Sequence, residues 1–396
     1  MEKYKYLVIG NGIAGLTAVK EIRKNDKEGS IAIISKEPYY TYFRVKLTEL
    51  LCKGDFCKED ILVNKESWYE DNKVKVYLNS VAKDLDTDKS LLVLGDGTEI
   101  EYEKLLISTG SKPFIPPMKG TEKDGFFALR SLRDLNYIRD YLKDCREVAV
   151  IGGGLLGLEA AWSLRELGKK VTVLQHSDYI LGNQLDEELA KRLEGELEAE
   201  GITVLTCANV EEVLGDGRVE GLRFQDGRTI DIDSVLVSTG VQPNIDLVKD
   251  TKLATNRGIL VNEKLETSIE NIYAAGDVIE LNGVTLGLWT AGLEQGRIVG
   301  SNMTGASKEY DVPKAFASLN IGSISLFSAG KISDVDRVYE HKDGDNHSKI
   351  FVKDGVLVGS ILYGDTKAMG KFRKAVFANK NIEEFLEEND LVEDYK

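Results

Sequence analysis

Leu7-Val8-Ile9-Gly10-Asn11-Gly12-Ile13-Ala14-Gly15 decides the reading of this chain. A short apolar, β-branched run ends in glycines and passes into a helical pattern that lasts through Arg23. In such a strand–turn–helix the first glycine permits the tight bend, and the second lets backbone approach a pyrophosphate. The third lets helix and strand pack closely, while the helix N-terminus supplies unpaired N–H groups to the phosphates. One such motif is weak, but the chain has two. Val148-Ala149-Val150-Ile151 is followed by Gly152-Gly153-Gly154-Leu155-Leu156-Gly157 and a helical run to Leu167, stopped by Gly168. The repeat predicts two dinucleotide cradles.

Each unit continues in the same way. Ile31-Ala32-Ile33-Ile34 reads as a second buried strand, and Glu37 follows about 20 residues past the first turn, where a carboxylate can accept hydrogen bonds from adenosine ribose hydroxyls. The second unit has Val171-Thr172-Val173-Leu174, but ends in Gln175-His176, so neither an acid nor an arginine selects between NADH and NADPH. Leu105 to Gly110 and Val235 to Gly240 are matching closing strands, each ending Ser-Thr-Gly, and each is preceded by a hairpin-like stretch with Asp-Gly turns. Both units therefore read as the same doubly wound α/β fold with a hairpin before the last strand.

The 396 residues allow two or three domains at about 150 residues each. With 42% hydrophobic and 30% charged residues the composition is that of an ordinary globular protein. No membrane span or export signal is legible, so the cytoplasm is the expected location. A formal charge of −15 argues against a nucleic-acid partner. His341 and His347 flank an expected hairpin turn, and with His176 they are too few to suggest a metal site.

A third signature, Thr267-Ser268-Ile269-Glu270-Asn271-Ile272-Tyr273-Ala274-Ala275-Gly276-Asp277, completes a pattern that resembles the FAD-dependent pyridine nucleotide-disulfide oxidoreductases. The resemblance implies an α/β chain of two three-layer dinucleotide-binding domains, FAD over 1–111 and 241–310 with an inserted NAD(P)H domain over 112–240, plus a small C-terminal α+β domain over 311–396. It implies that Asp277 meets the ribityl and pyrophosphate region of FAD. Tyr39 to Leu47 is similar to the corresponding segment of bacterial NADH:rubredoxin oxidoreductases and NADH-dependent nitrite reductases, as is Gln184-Leu185-Asp186, although Asn183 replaces an arginine. By that likeness FAD would be contacted by Gly10, Gly12, Ile13, Ala14, Gly15, Glu37, Arg44, Lys46, Val81, Thr109, Gly110, Arg130, Asp277 and Gln295. NAD(P)H would be contacted by Gly152, Gly154, Leu155, Leu156, Gly157 and Glu159. Glu49 stands where several relatives have a lysine beside the flavin, so Glu49 and Glu159 are two candidate carboxylates near the reacting rings, although dipole preference in a helix first turn also favours acids.

Cys52 and Cys57 share the spacing of the redox pair in the disulfide reductase branch. Here they flank Lys53-Gly54-Asp55-Phe56 after an expected helical run Val45 to Leu51, and the tail Ile382 to Lys396 lacks that branch's histidine. All four cysteines, with Cys145 and Cys207, are expected to be free thiols. Without a thiol relay, the expected reaction is hydride transfer from NAD(P)H to FAD, then single-electron release to a small carrier, rubredoxin foremost. An NAD(P)H oxidase, a nitrite-linked diaphorase and an NAD(H)-responsive redox sensor are the alternatives.

From Asp311 the pattern changes to strands 323–327, 337–340, 349–353 and 356–362, then helical runs 366–379 and 382–389. This shorter domain favours a monomer. Lys367, Lys371, Arg373, Lys374 and Lys380 form a basic patch that either is simply solvated or steers an acidic electron carrier. Leu185, Leu189, Leu193 and Leu197 read as a core stripe, Trp162 and Trp289 as core. Trp289 is also expected to open a helix under the flavin, with Gln295 on the same face.

Overall fold

A computed structural model describes residues 2–54 and 56–392, arranged as two compact units. Asp55 of the Cys52–Cys57 loop and the last residues of the tail lie outside the described residues. The first unit comprises 1–46, 54–114 and 240–313; the second comprises 47–53, 115–239 and 314–396.

The first unit is built on parallel strands in the order Val74–Tyr77, Ile31–Ile34, Glu2–Ile9, Glu99–Ile107 and Ile272–Ala274. Ile31–Ile34 is buried at every position because layers cover both faces of the sheet, which is why its sequence shows no alternation. The helix Ile13–Asn25 packs against the helix Trp289–Met303 through glycines four residues apart. A Cβ on Gly292 would stand 3.1 Å from Ile13, and one on Gly296 only 2.6 Å from the Ala14 carbonyl oxygen. The chain leaves this unit through Ser111–Pro113 and returns through Val241–Pro243, and the two segments pair antiparallel.

The second unit repeats the design. Its parallel sheet runs Ile202–Leu205, Lys170–Leu174, Glu147–Ile151, Ser234–Val237 and Phe126–Ala128. The fifth strand precedes the glycine turn in this unit and follows the rest in the first. The repeat extends to single hydrogen bonds: Gly10 N–H donates to the Ile34 carbonyl (2.9 Å) as Gly152 N–H does to that of Leu174 (2.8 Å). Ser108 N–H donates to the Ile9 carbonyl (2.8 Å) as Ser238 N–H does to that of Ile151 (2.8 Å).

The C-terminal residues of this unit form an antiparallel sheet in the order Phe316–Ile321, Ile324–Gly330, Val356–Tyr363, Asn346–Lys353, Arg337–Asp343, backed by helices Met369–Phe377 and Ile382–Glu388. The first strand is additional to those expected. Ser318 and Asn320 interrupt its apolar positions, and only Leu319 and Ile321 are buried. This sheet is fastened to the middle segment by Lys349, whose ammonium bridges Asp186 (2.7 Å) and Glu188, and by Tyr363, whose hydroxyl donates to Glu196 (2.6 Å). Burial opposes the Lys349 charge, but the two carboxylates outweigh it and raise its pKa. His347 departs from the expected exposed turn: it is buried and bonded to Glu340, while the turn beside it is exposed. Glu188, Glu340 and His347 converge, and Lys342 and Lys349 occupy the carboxylates.

Candidate functional sites

The helices Ile13–Asn25 and Leu155–Glu166 begin at Gly12 and Gly154, with no side-chain cap and no acid in the first turn. Ser131, Asp186 and Asn381 cap three other helix starts with their side chains, whereas the helices beginning at Glu66, Trp289 and Met369 are also uncapped, so the glycine before the helix is what sets the two cradles apart. An uncapped start with a glycine before it leaves N–H groups and the positive helix end for an anion. Gly10 (φ +110°) and Gly152 (φ +116°) are in the left-handed region, and a Cβ on either would overlap the carbonyl oxygen of Ser108 or Ser238. A Cβ on Gly15 or Gly157 would overlap the carbonyl oxygen of Gly10 or Gly152. At Gly12 and Gly154 a Cβ would meet no protein atom within 4 Å. Outer glycines demanded by packing and a middle glycine facing open space are what a pyrophosphate passing over the turn requires. Ile13 and Leu155 are half-buried, Ala14 is buried, and Leu156 is exposed.

Around the first cradle the structure adds partners invisible in the sequence. Glu37 accepts from Arg44 (2.7 Å) on one carboxylate oxygen and from the Tyr42 hydroxyl (2.7 Å) on the other. Burial opposes the Arg44 charge, while the pull of Tyr42, Glu37 and Asp277 more than offsets it and raises its pKa. Asn11, between the first two glycines, accepts from Thr41 (2.6 Å) and donates to the Tyr39 carbonyl (3.3 Å), so the segment carrying Tyr42 and Arg44 is tied to the turn. Asp277 accepts from buried Ser111 (2.8 Å). Gln295 is buried, and its oxygen accepts from Gly276 N–H (2.6 Å), so within the protein it braces the turn that presents Asp277. Thr109 donates to the Asn244 carbonyl (2.8 Å), which Gly110 answers by accepting from Asn244 N–H (2.8 Å). Val81 is exposed and its carbonyl accepts from Gly95 N–H (2.8 Å). Lys46 places its ammonium over Phe43, whose ring packs on Trp289, the first residue of its helix.

Other expected residues fall in the second unit. Glu159 lies in the second turn of its helix rather than the first, half-buried, and burial raises its pKa. Glu49 is exposed and ion-paired with Lys53. Arg130 precedes the helix Leu132–Tyr141, with its N–H donating to Asp134 (3.0 Å). Val45 to Leu51 forms two 3₁₀ turns, Arg44–Lys46 and Glu49–Leu51, instead of a continuous helix. The four cysteines are free, and each has a raised pKa. For Cys52, burial and a hydrogen bond to Glu166 (3.1 Å) favour the thiol; for Cys57, it is a bond to Glu59. Reactive thiols carry the opposite shift. No helix among the described residues is long and apolar enough to cross a membrane.

The two units share one doubly wound design, each with a glycine cradle of the dinucleotide-binding form. Residues 4–296 match the family model of pyridine nucleotide-disulphide oxidoreductases, and the chain belongs to that family. Residues 316–380 match the rubredoxin NAD+ reductase C-terminal domain. The chain is 33% identical over 385 residues to the NADH-rubredoxin oxidoreductase of Clostridium acetobutylicum, covering 97% of both chains. The crystal structure of NADH:rubredoxin oxidoreductase from Clostridium acetobutylicum superposes with a TM-score of 0.84, at 30% identity, over 98% of this chain and 100% of that one. The chain is also 36% identical over 392 residues to the nitrite reductase [NAD(P)H] of Bacillus subtilis, 97% of this chain but 48% of that protein, so it spans about half of that relative's length.

Proposed function

We propose that this chain is an NADH-dependent flavoprotein reductase that passes electrons singly to a small iron-sulfur carrier of the rubredoxin type. The observation that carries the reading is the pair of glycine cradles, each opening a helix with no side-chain cap, in a chain whose four cysteines are free. FAD binds over 1–111 and 241–310, NADH over 112–240, and 311–396 is a C-terminal α+β domain. The first cradle, Gly10 to Gly15, holds the FAD pyrophosphate. Glu37, fixed by Tyr42 and Arg44, takes the adenosine ribose, and Asp277, steadied by Ser111, takes the ribityl end. Lys46, Val81, Thr109, Gly110, Arg130 and Gln295 line or brace the same cofactor. Gly152 to Gly157 hold the NADH pyrophosphate, and Glu159 borders the nicotinamide. Bound FAD supplies the conversion of a two-electron donor to one-electron release. The protein's part is to fix both nucleotides and set the charge around them.

Lys371, Arg373 and Lys374 attract an acidic carrier to an otherwise acidic protein. Arg373 and Lys371 are held over Phe316 and Phe385, which pre-orders them at little entropic cost. The test is anaerobic stopped-flow reduction of the flavin by NADH, followed by mixing with rubredoxin or with air. Fast reoxidation by rubredoxin and slow reoxidation by air support the reading; the reverse order overturns it in favour of an oxidase. Lys371→Glu with Arg373→Glu should flatten the salt dependence of the rubredoxin step, and an unchanged salt slope would remove these residues from the docking surface.

A further inference from the structure

In the second cradle the residue at the ribose-reading position is turned back into the protein. Gln175 ends the strand Lys170–Leu174 and its side-chain oxygen accepts from Gly153 N–H (2.9 Å), inside the glycine turn itself. Its amide nitrogen donates to Ser177 Oγ, whose own hydroxyl donates to the Tyr179 carbonyl (3.2 Å). Ser177 therefore has only a lone pair to offer, and the group facing it must be a donor. An amide satisfies both ends of this chain; a carboxylate, which donates nothing when ionised, would set its lone pairs against those of Ser177 Oγ and one of the two side chains would have to turn. The loop is further fixed by Gly153 accepting from Leu181 N–H (3.0 Å) and Gln175 accepting from Ala208 N–H (2.8 Å). Asp178 is turned toward the Cys207 thiol (3.2 Å), and His176 is exposed.

A carboxylate at this place separates the two nicotinamide nucleotides by two effects. It accepts from both ribose hydroxyls, and it repels a 2′-phosphate. Gln175 supplies neither in full, since each end of its amide already has a partner and the group is neutral. Resting on the function proposed above, we infer that Gln175 makes this cradle a weakly discriminating one that takes NADPH as well as NADH.

The test is calorimetric titration of the oxidised, flavin-containing protein with NAD+ and NADP+, alongside flavin reduction by NADH and NADPH. The two dissociation constants should lie within about tenfold of each other. Gln175→Glu should weaken NADP+ by more than about tenfold relative to NAD+, because a carboxylate cannot donate to Ser177, turns out of the loop and sets a charge beside the phosphate. A wild-type preference for NAD+ above tenfold, or a Gln175→Glu ratio equal to that of wild type, would overturn the inference. Should Gln175→Glu not fold, Gln175→Ala serves: it should weaken both nucleotides alike, and a selective loss of either would count against the inference. Binding is read separately from carrier reduction. A protein that binds both nucleotides but fails to reduce rubredoxin would sink the proposed function and leave the weak discrimination standing.

Discussion

Ser111 donates its hydroxyl proton to Asp277 across 2.8 Å from a position almost out of solvent. Neither residue is near the other in sequence; the strand Ser111–Pro113, by which the chain leaves the first unit, delivers one, and the turn after Ile272–Ala274 delivers the other. A hydrogen bond to a charged acceptor is worth about 1.5–3 kcal/mol, so Ser111→Ala should weaken FAD binding by about tenfold or more. Flavin release on dilution and ultrafiltration measures this, and Ser111→Thr should retain most of the affinity.

Glu37 is held between Tyr42 and Arg44, with 17% of its side chain exposed. Arg44→Ala leaves that carboxylate with one donor in a half-dry setting, at a cost of about 1–3 kcal/mol. The expected outcome is protein purified with substoichiometric flavin and a lowered melting temperature that added FAD restores. Loss of melting temperature without loss of flavin would place Arg44 outside the cofactor's reach.

Gly12 and Gly15 separate packing from binding. Gly15→Ala drives a Cβ into the Gly10 carbonyl and should destabilise the unit whether or not FAD is present. Gly12→Ala meets no protein atom within 4 Å, so the protein should fold and yet bind flavin poorly if, as proposed, the pyrophosphate passes over this glycine. Far-ultraviolet circular dichroism and the flavin-to-protein absorbance ratio distinguish the two variants.

The attachment of the C-terminal sheet should be acid-sensitive. Hydrogen bonds from Lys349 and Lys342 hold the Glu188 pKa down to about 2, against an ordinary 4.5. A depressed carboxylate stabilises fully above its unfolded value and loses that contribution as pH falls toward the folded one, so loosening is expected between about pH 4.5 and 2. Hydrogen exchange in the strand Asn346–Lys353 should rise over that window. In Lys349→Met the strand should already be looser at neutral pH and less responsive to acid.

The features legible in the sequence are those that repeat or that sterics dictate. Gly10, Gly15, Gly152 and Gly157 are required by overlaps that any side chain would create, so their spacing could be read directly. The uniformly apolar run Ile31–Ile34 announced a strand covered on both faces. The supports were hidden for a physical reason: Ser111 with Asp277, Asn11 with Thr41, and Gln295 with Gly276 are polar pairs between distant segments, and no periodicity encodes them. Strand Phe316–Ile321 is faint in the sequence because only Leu319 and Ile321 are buried in it, and the 3₁₀ turns at Arg44–Lys46 and Glu49–Leu51 are faint because propensity does not distinguish them from a short helix.

Direct transfer between two bound nucleotides, with no sulfur between them, is tested most plainly by counting electrons. Anaerobic titration of the flavin-containing protein with NADH should bleach the flavin fully at one NADH per flavin, and Cys52→Ala with Cys57→Ala should not move that endpoint. A requirement for a second NADH per flavin, abolished by the cysteine substitutions, would show a dithiol in the path and contradict the account.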